Sequence, residues 1–156
     1  MRIFSYEELD ELGEGLIRQY LGKEAERTCC VDIEGFVTDF LKLPLLYRSF
    51  AEEDSDKNLF SFRETQVDRM GAALLMPRFM VRNVAAMHGC TDRIPVYGDS
   101  ILRTADKLRI KQMANAMGVS FSAFLIRLRE LGCLCYRPLA EYITEEMGLG
   151  QDGGAG

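Results

Sequence analysis

The sequence predicts a mainly α-helical fold with an α+β remnant of few short strands and a helix-turn-helix-like subdomain near the C-terminus. Three observations carry that prediction. Apolar residues recur at helical spacing in most segments, as in Leu9, Leu12, Leu16 and Tyr20. Start and stop signals bracket these stripes: Ser5 ahead of Glu8, then Gly22, Pro44, Pro77, Gly89, Gly118 and Gly132. Strand candidates are brief, with Leu45 to Phe50 and Cys133 to Tyr136 the clearest. A chain of 156 residues, 47% apolar, has enough material for one sizeable core with a small appended subdomain.

Taken in order, Ser5 caps a first helix over about 5 to 22, with Glu7 and Glu8 in its first turn and Glu8 completing a capping box. Ile17 and Leu21 widen its stripe, and Gly22 suits its end. Asp32 or Thr28 caps a second helix carrying Ile33, Phe36, Val37, Phe40 and Leu41 inward, ended by Pro44. Residues 51 to 57 read as a solvated loop. A helix through Arg63 to Leu75 is stopped by Pro77, and Phe79, Met80, Val81, Val84, Ala85 and Met87 fit the next one, with His88 near its last turn.

Ile94 to Ser100 reads as a loop or short extended piece. Thr104 or Ser100 opens a helix with Leu108, Ile110, Met113, Ala114 and Met117 inward, ended by Gly118. Ser120 then caps a helix bearing Phe121, Phe124, Leu125, Leu128 and Leu131, so the pair with its Gly118-Val119-Ser120 turn resembles a helix-turn-helix. Pro138 starts a last helix over about 139 to 147, with Leu139, Tyr142, Ile143 and Met147 inward, and Gly148 to Gly156 reads as a glycine-rich tail.

Five cysteines, two of them adjacent as Cys29-Cys30, make a poor disulfide set, so reduced thiols packed as small hydrophobes are expected. No apolar run reaches the roughly 20 residues of a membrane span, and the N-terminus has no signal-peptide core, which predicts a cytoplasmic protein with no membrane partner. The net charge of -5 is unevenly spread. Residues 1 to 57 hold 14 acids and 7 bases, whereas 101 to 132 hold six bases against Asp106 and Glu130. The acidic half argues against general nucleic-acid affinity, and the basic segment keeps a local version open, through Lys107, Lys111, Ser120, Ser122 and Arg127.

One stretch combines an apolar stripe with two carboxylates a turn apart. In Arg63-Glu64-Thr65-Gln66-Val67-Asp68-Arg69-Met70-Gly71-Ala72-Ala73-Leu74-Leu75-Met76-Pro77, the residues Val67, Met70, Ala73 and Leu74 mark a buried face, and Glu64 and Asp68 lie four apart. This segment resembles the part of ImmA/IrrE-family metallo-endopeptidases that follows the zinc-binding helix and closes on Leu-Leu-Met-Pro. Val31-Asp32-Ile33-Glu34-Gly35-Phe36 before it and Val96-Tyr97-Gly98-Asp99 after it extend the resemblance along most of the chain. It implies a zincin-like scaffold, Zn2+ in the family, Glu64 as third zinc ligand and Asp68 as its outer partner. Read from its residues alone, the same carboxylate pair is a solvated face paired with Arg63 and Arg69.

The chain departs from that family at the point where chemistry would reside. His88 is its one histidine, and no His-Glu-x-x-His occurs. A zinc peptidase needs three protein ligands, a metal-bound water and a general base, and Glu64 alone supplies one ligand. Too few residues separate Tyr47 from Glu64 for a sheet and a helix, which points to an internal deletion near residues 57 to 62. The expected organisation is a truncated peptidase-like region over 1–100, a helix-turn-helix-like subdomain over 101–147 and a tail over 148–156. The resemblance implies a regulatory setting in which helix-turn-helix repressors are targets, as in mobile-element circuits. For this chain it leaves a catalytically inactive protein with no zinc bound, or a non-catalytic module that binds a repressor or DNA. Apolar faces that the missing segment would have covered predict self-association.

Overall fold

The computed structural model describes residues 3–46 and 57–146, with side chains described over 3–46 and 65–144. It is mainly helical: seven α-helices and one two-stranded sheet lie among the described residues. Two compact units divide the chain, Met1–Val84 and Ala85–Gly156. The second unit includes the extended piece at Ile94–Tyr97, which pairs with a strand later in the chain.

In the first unit, α1 spans Tyr6–Leu21. Its capping box forms as the sequence predicts: the Glu8 N–H donates to Ser5 Oγ at 3.2 Å, and the Ser5 N–H donates to Glu8 Oε2 at 2.8 Å. Gly22, at φ 55°, closes the helix with its N–H on the Arg18 carbonyl. A 3-10 turn over Gly22–Glu24 follows. Asp32, not Thr28, caps the next helix by accepting the Gly35 N–H at 3.1 Å.

That helix is shorter than predicted. α2 covers only Ile33–Gly35 and widens into a π-turn over Phe36–Phe40, where the Leu41 N–H reaches back to the Phe36 carbonyl. The wide turn seats an aromatic cluster in which Phe36 and Phe40 stack at 5.4 Å and both rings meet Tyr20, at 5.5 and 5.8 Å. Leu41, expected inward, is 38% exposed. Leu45 and Leu46 lie in no regular element; the remainder of that strand candidate and the 51–56 loop fall outside the described residues.

α3 spans Lys57–Leu75, so the segment assigned to a deletion junction is continuous helix with the Glu64 segment. Its packed face matches the predicted one only in part. Ala73 is buried as predicted, but Val67 is 69% exposed, and Arg69 and the following Met76 are buried. The reason lies on α1. Gly13 comes so close to α3 that a Cβ placed there would sit 2.8 Å from the Ala73 Cβ. One turn earlier Asp10 meets Arg69, and Gln66 Nε2 donates to the Phe4 carbonyl at 2.9 Å. These contacts rise together along both chains, so α1 and α3 run in the same direction, joined along a polar and small-residue line.

α4 spans Arg78–Met87 after Pro77, with Phe79, Met80, Val81 and Val84 buried as predicted and Met87 exposed. Arg78 Nε pairs with Glu14 Oε2 at 3.0 Å, and the Arg18 guanidinium lies 3.9 Å over the Phe79 ring.

The second unit is a strand, two helices, a strand and a helix. β1 (Ile94–Tyr97) and β2 (Leu134–Arg137) pair in parallel, Ile94 opposite Leu134 and Tyr97 opposite Arg137. The crossover between them is α5 (Thr104–Ala116) and α6 (Phe121–Glu130). Thr104 is the first residue of α5 and not its cap; Arg103 holds the cap position without a side-chain bond to the helix. Ile110, Met113, Ala114 and Met117 are buried, but Leu108 faces solvent at 57% because the stripe turns through Asp106 instead. Ser120 caps α6 through the Ala123 N–H at 3.2 Å. The last helix, α7 (Leu139–Glu146), places the Tyr142 ring 5.5 Å from the Tyr97 ring. Leu139 and Ile143, predicted inward, are 45% and 41% exposed. Met147 and the 148–156 tail fall outside the described residues.

Candidate functional site

The carboxylate pair singled out by the sequence lies on α3. Glu64 is within the helix, its side chain outside the described set, and Asp68 faces solvent. Arg69, expected beside this acidic edge, pairs across to α1. Its Nη2 meets Asp10 Oδ2 at 2.7 Å, with both side chains almost fully buried at 7% and 6%, and its guanidinium lies 5.0 Å from the Tyr6 ring centre. The functional expectation for Asp68 and the structural role of Arg69 therefore separate onto two sides of one helix. Asp10 was the missed residue. Its position one turn before Gly13 on the α1 face was the available signal, since a charge among close-packed positions needs a partner.

The residues that the sequence assigns to zinc are one carboxylate ligand, Glu64, and its outer partner Asp68. Among the described residues no three His, Cys, Asp or Glu side chains come together, and the chain holds a single histidine. A helix with one carboxylate and an outer Asp offers neither the second and third ligands nor a base for a metal-bound water.

In the second unit, α5, the Met117 to Ser120 turn and α6 form the helix-turn-helix-like pair, with Gly118 at φ 69° in a position suited to glycine. The structure distributes the five predicted contact residues unequally. Lys107, Lys111, Ser120 and Ser122 are exposed, although Ser120 already spends its hydroxyl on the cap. Arg127, expected at the contact surface, has a wholly buried side chain, with Nη1 3.4 Å from Glu130 Oε2. The outer side of α6 carries Ser122, Ile126 and Arg129, with Ile126 53% exposed. That is a mixed surface with one cation and one large apolar side chain.

Beside α6, the face of the sheet that carries Val96, Leu134 and Tyr136 borders an open depression completed by Leu102, Leu125, Asp99, Ser100 and Arg129. Tyr97 is buried on the opposite face, where its hydroxyl accepts a hydrogen bond from Arg103 Nη2.

Among the titrating groups, Glu26 is held below the usual carboxylate range, first by the hydrogen bond from Arg18 at 2.7 Å and then by Asn83 at 3.3 Å. Arg18 is raised in turn, chiefly by the same bond to Glu26. Burial pushes the Tyr20 hydroxyl up, aided by the charges of Asp32 and Asp39.

No family model, curated protein or solved structure matches the chain. None of the helices among the described residues is long and apolar enough to cross a membrane.

Proposed function

We propose that this chain is a catalytically incomplete member of the ImmA/IrrE metallo-endopeptidase group, built on a remnant of the zincin-like scaffold, and that it acts as a non-catalytic regulatory module binding a helix-turn-helix repressor protein. The observation that carries this reading is α3. It retains Glu64, Asp68 and the Leu-Leu-Met-Pro ending, and it runs unbroken from Lys57 to Leu75 with its inner face engaged on α1. The helix that would bear a metal ligand is kept as packing, while the other ligands and the base are absent from the sequence. A binding role survives such a loss because recognition needs a surface and not a metal-activated water.

The test has two arms. Calorimetric titration with Zn2+ should give no tight stoichiometric binding; nanomolar binding at one ion per chain would contradict the loss of the site. A purified helix-turn-helix repressor from the same genome should associate with the chain and remain uncut. Absence of association at micromolar concentrations, or appearance of a cleaved product, would sink the proposal.

A second reading, binding of duplex DNA through α5 and α6, is favoured by the exposed Lys107, Lys111 and Arg129. The buried Arg127 and the exposed Ile126 weigh toward a protein partner. DNA affinity would fall linearly with the logarithm of salt concentration. No affinity at low salt removes this second reading.

A further inference from the structure

We infer that the outer edge of β2 is a docking edge for an extended polypeptide segment, which adds as a third strand and places an apolar side chain in the depression beside α6 and a carboxylate on Arg129. The inference deepens the partner-binding reading and rests on it for the partner being a protein.

The argument begins from the ladder. In parallel pairing each bonded residue spans two residues of its neighbour. The Ile94 N–H donates to the Cys133 carbonyl and the Gly98 N–H to the Arg137 carbonyl, with Ile94 opposite Leu134. The polar main-chain groups of β2 at Cys133, Cys135 and Arg137 thus face β1, and those of Leu134 and Tyr136 face away. The outer edge of β1 is closed: Pro95 has no N–H, and Tyr97 exchanges both of its bonds with Ile101. No main-chain partner for Leu134 or Tyr136 on their outer side occurs among the described residues. Among the described residues the sheet thus has one sealed edge and one edge free to pair, and what pairs with such an edge is another extended backbone.

Side chains then define which backbone. Leu134 and Tyr136 lie on the face that lines the depression with Leu125 and Leu102, so an added strand would present alternate residues to that same face. Arg129 lines it too and has no ion-pair partner among the described residues, while Asp99 lies on the same rim. An apolar residue followed two positions later by an acid, oriented with the acid toward Arg129 and away from Asp99, matches this arrangement. β2 itself carries no acid, so a second copy of it pairing across a twofold would bring Tyr136 opposite Leu134 without a carboxylate in the added strand, which is why a partner segment is favoured.

The probe is the capped peptide Thr-Val-Thr-Leu-Thr-Glu-Thr, titrated into the full chain with amide hydrogen exchange as readout. In the free protein the Leu134 and Tyr136 amides should exchange faster than those of Cys135 and Arg137, and peptide should slow them selectively. Methylating the peptide amides on its sheet-facing side should abolish the effect, and methylating the alternate amides should not. Arg129→Glu should weaken binding about fivefold, with recovery by a peptide carrying Lys in place of Glu. Slow exchange at Leu134 and Tyr136 before peptide is added, or no peptide-dependent protection, overturns the inference. Protection that grows with protein concentration alone overturns it in favour of a second copy. Failure of the repressor to associate while the peptide still binds would remove the repressor identity and leave the edge.

Discussion

Replacing Asp10 by Ala should be among the most damaging single changes in the first unit. The carboxylate and the Arg69 guanidinium meet at 2.7 Å with 6% and 7% of their side chains exposed. Taking one partner from such a pair leaves the other charge buried without its counter-ion, which costs about 3–5 kcal/mol. Arg69 keeps the Tyr6 ring at 5.0 Å, a contact worth about 1 kcal/mol, so the lower end, near 3 kcal/mol, is expected. For a chain of this size that lowers the melting temperature by roughly 6 to 12 °C. The assay is urea unfolding followed by circular dichroism, with Asp10→Leu/Arg69→Met as companion. The double variant replaces the pair with apolar groups of similar bulk and should return to within about 1 kcal/mol of the parent. A loss below about 1 kcal/mol for Asp10→Ala would be the behaviour of a solvent-screened pair and would refute the claim that this bond holds α1 to α3.

The two glycines of α1 should respond in opposite directions. Gly13→Ala meets the Ala73 Cβ at 2.8 Å and should cost about 1–3 kcal/mol, whereas Gly15→Ala meets nothing within 4 Å and should gain about 0.5–1 kcal/mol from helix propensity, both read by thermal melts. Arg127→Ala should lower stability by about 3 kcal/mol because it empties a wholly buried site, and Lys111→Ala should leave it within about 0.5 kcal/mol; equal effects in a denaturation series would contradict the separate roles assigned to them. Glu26 is held below its ordinary value of 4.5, so its contribution is present above that pH and is lost as pH falls through the lower folded value. Glu26→Gln should flatten the acid limb of the stability profile, and an NMR titration placing the Glu26 carboxyl at or above 4.5 would overturn the assignment of Arg18 as its main partner.

Much of the secondary structure was legible because its signals are local. Ser5 with Glu8, Asp32, Ser120, Gly22 and Gly118 mark helix ends through chemistry confined to a few residues, and the structure places all of them in those roles. What was not legible depended on partners distant in sequence. On α3 an apolar count finds Ala73 but also favours the exposed Val67, while the packing follows Gly13 and Asp10 on α1, far away in sequence within the first unit. Ile94–Tyr97 was ambiguous as a single apolar run, since its strand character is fixed by pairing with Leu134–Arg137. Arg127 was misread for a related reason: on a helix with bases on its outer side, charge alone does not distinguish an outward side chain from one buried against Glu130. The candidate zinc position was legible as an isolated residue, Glu64, and the same reading of one histidine per chain made its incompleteness legible too.

The parallel pairing of β1 with β2 also imposes an order of events on the nascent chain. A parallel pair cannot form as a hairpin, because its strands must be joined through a crossover, here the whole of α5 and α6. The two helices make contacts close in sequence and carry their own cap at Ser120, so they can assemble early. The strands meet only once that pair has brought Ile94 beside Leu134 and Tyr97 beside Arg137, since their loop closure is otherwise an entropic cost with little return. Synthesis from the N-terminus therefore releases β1 well before its partner exists. During that interval Ile94 to Tyr97 is an apolar strand without a sheet, with Pro95 as the residue that blunts its capture by other chains.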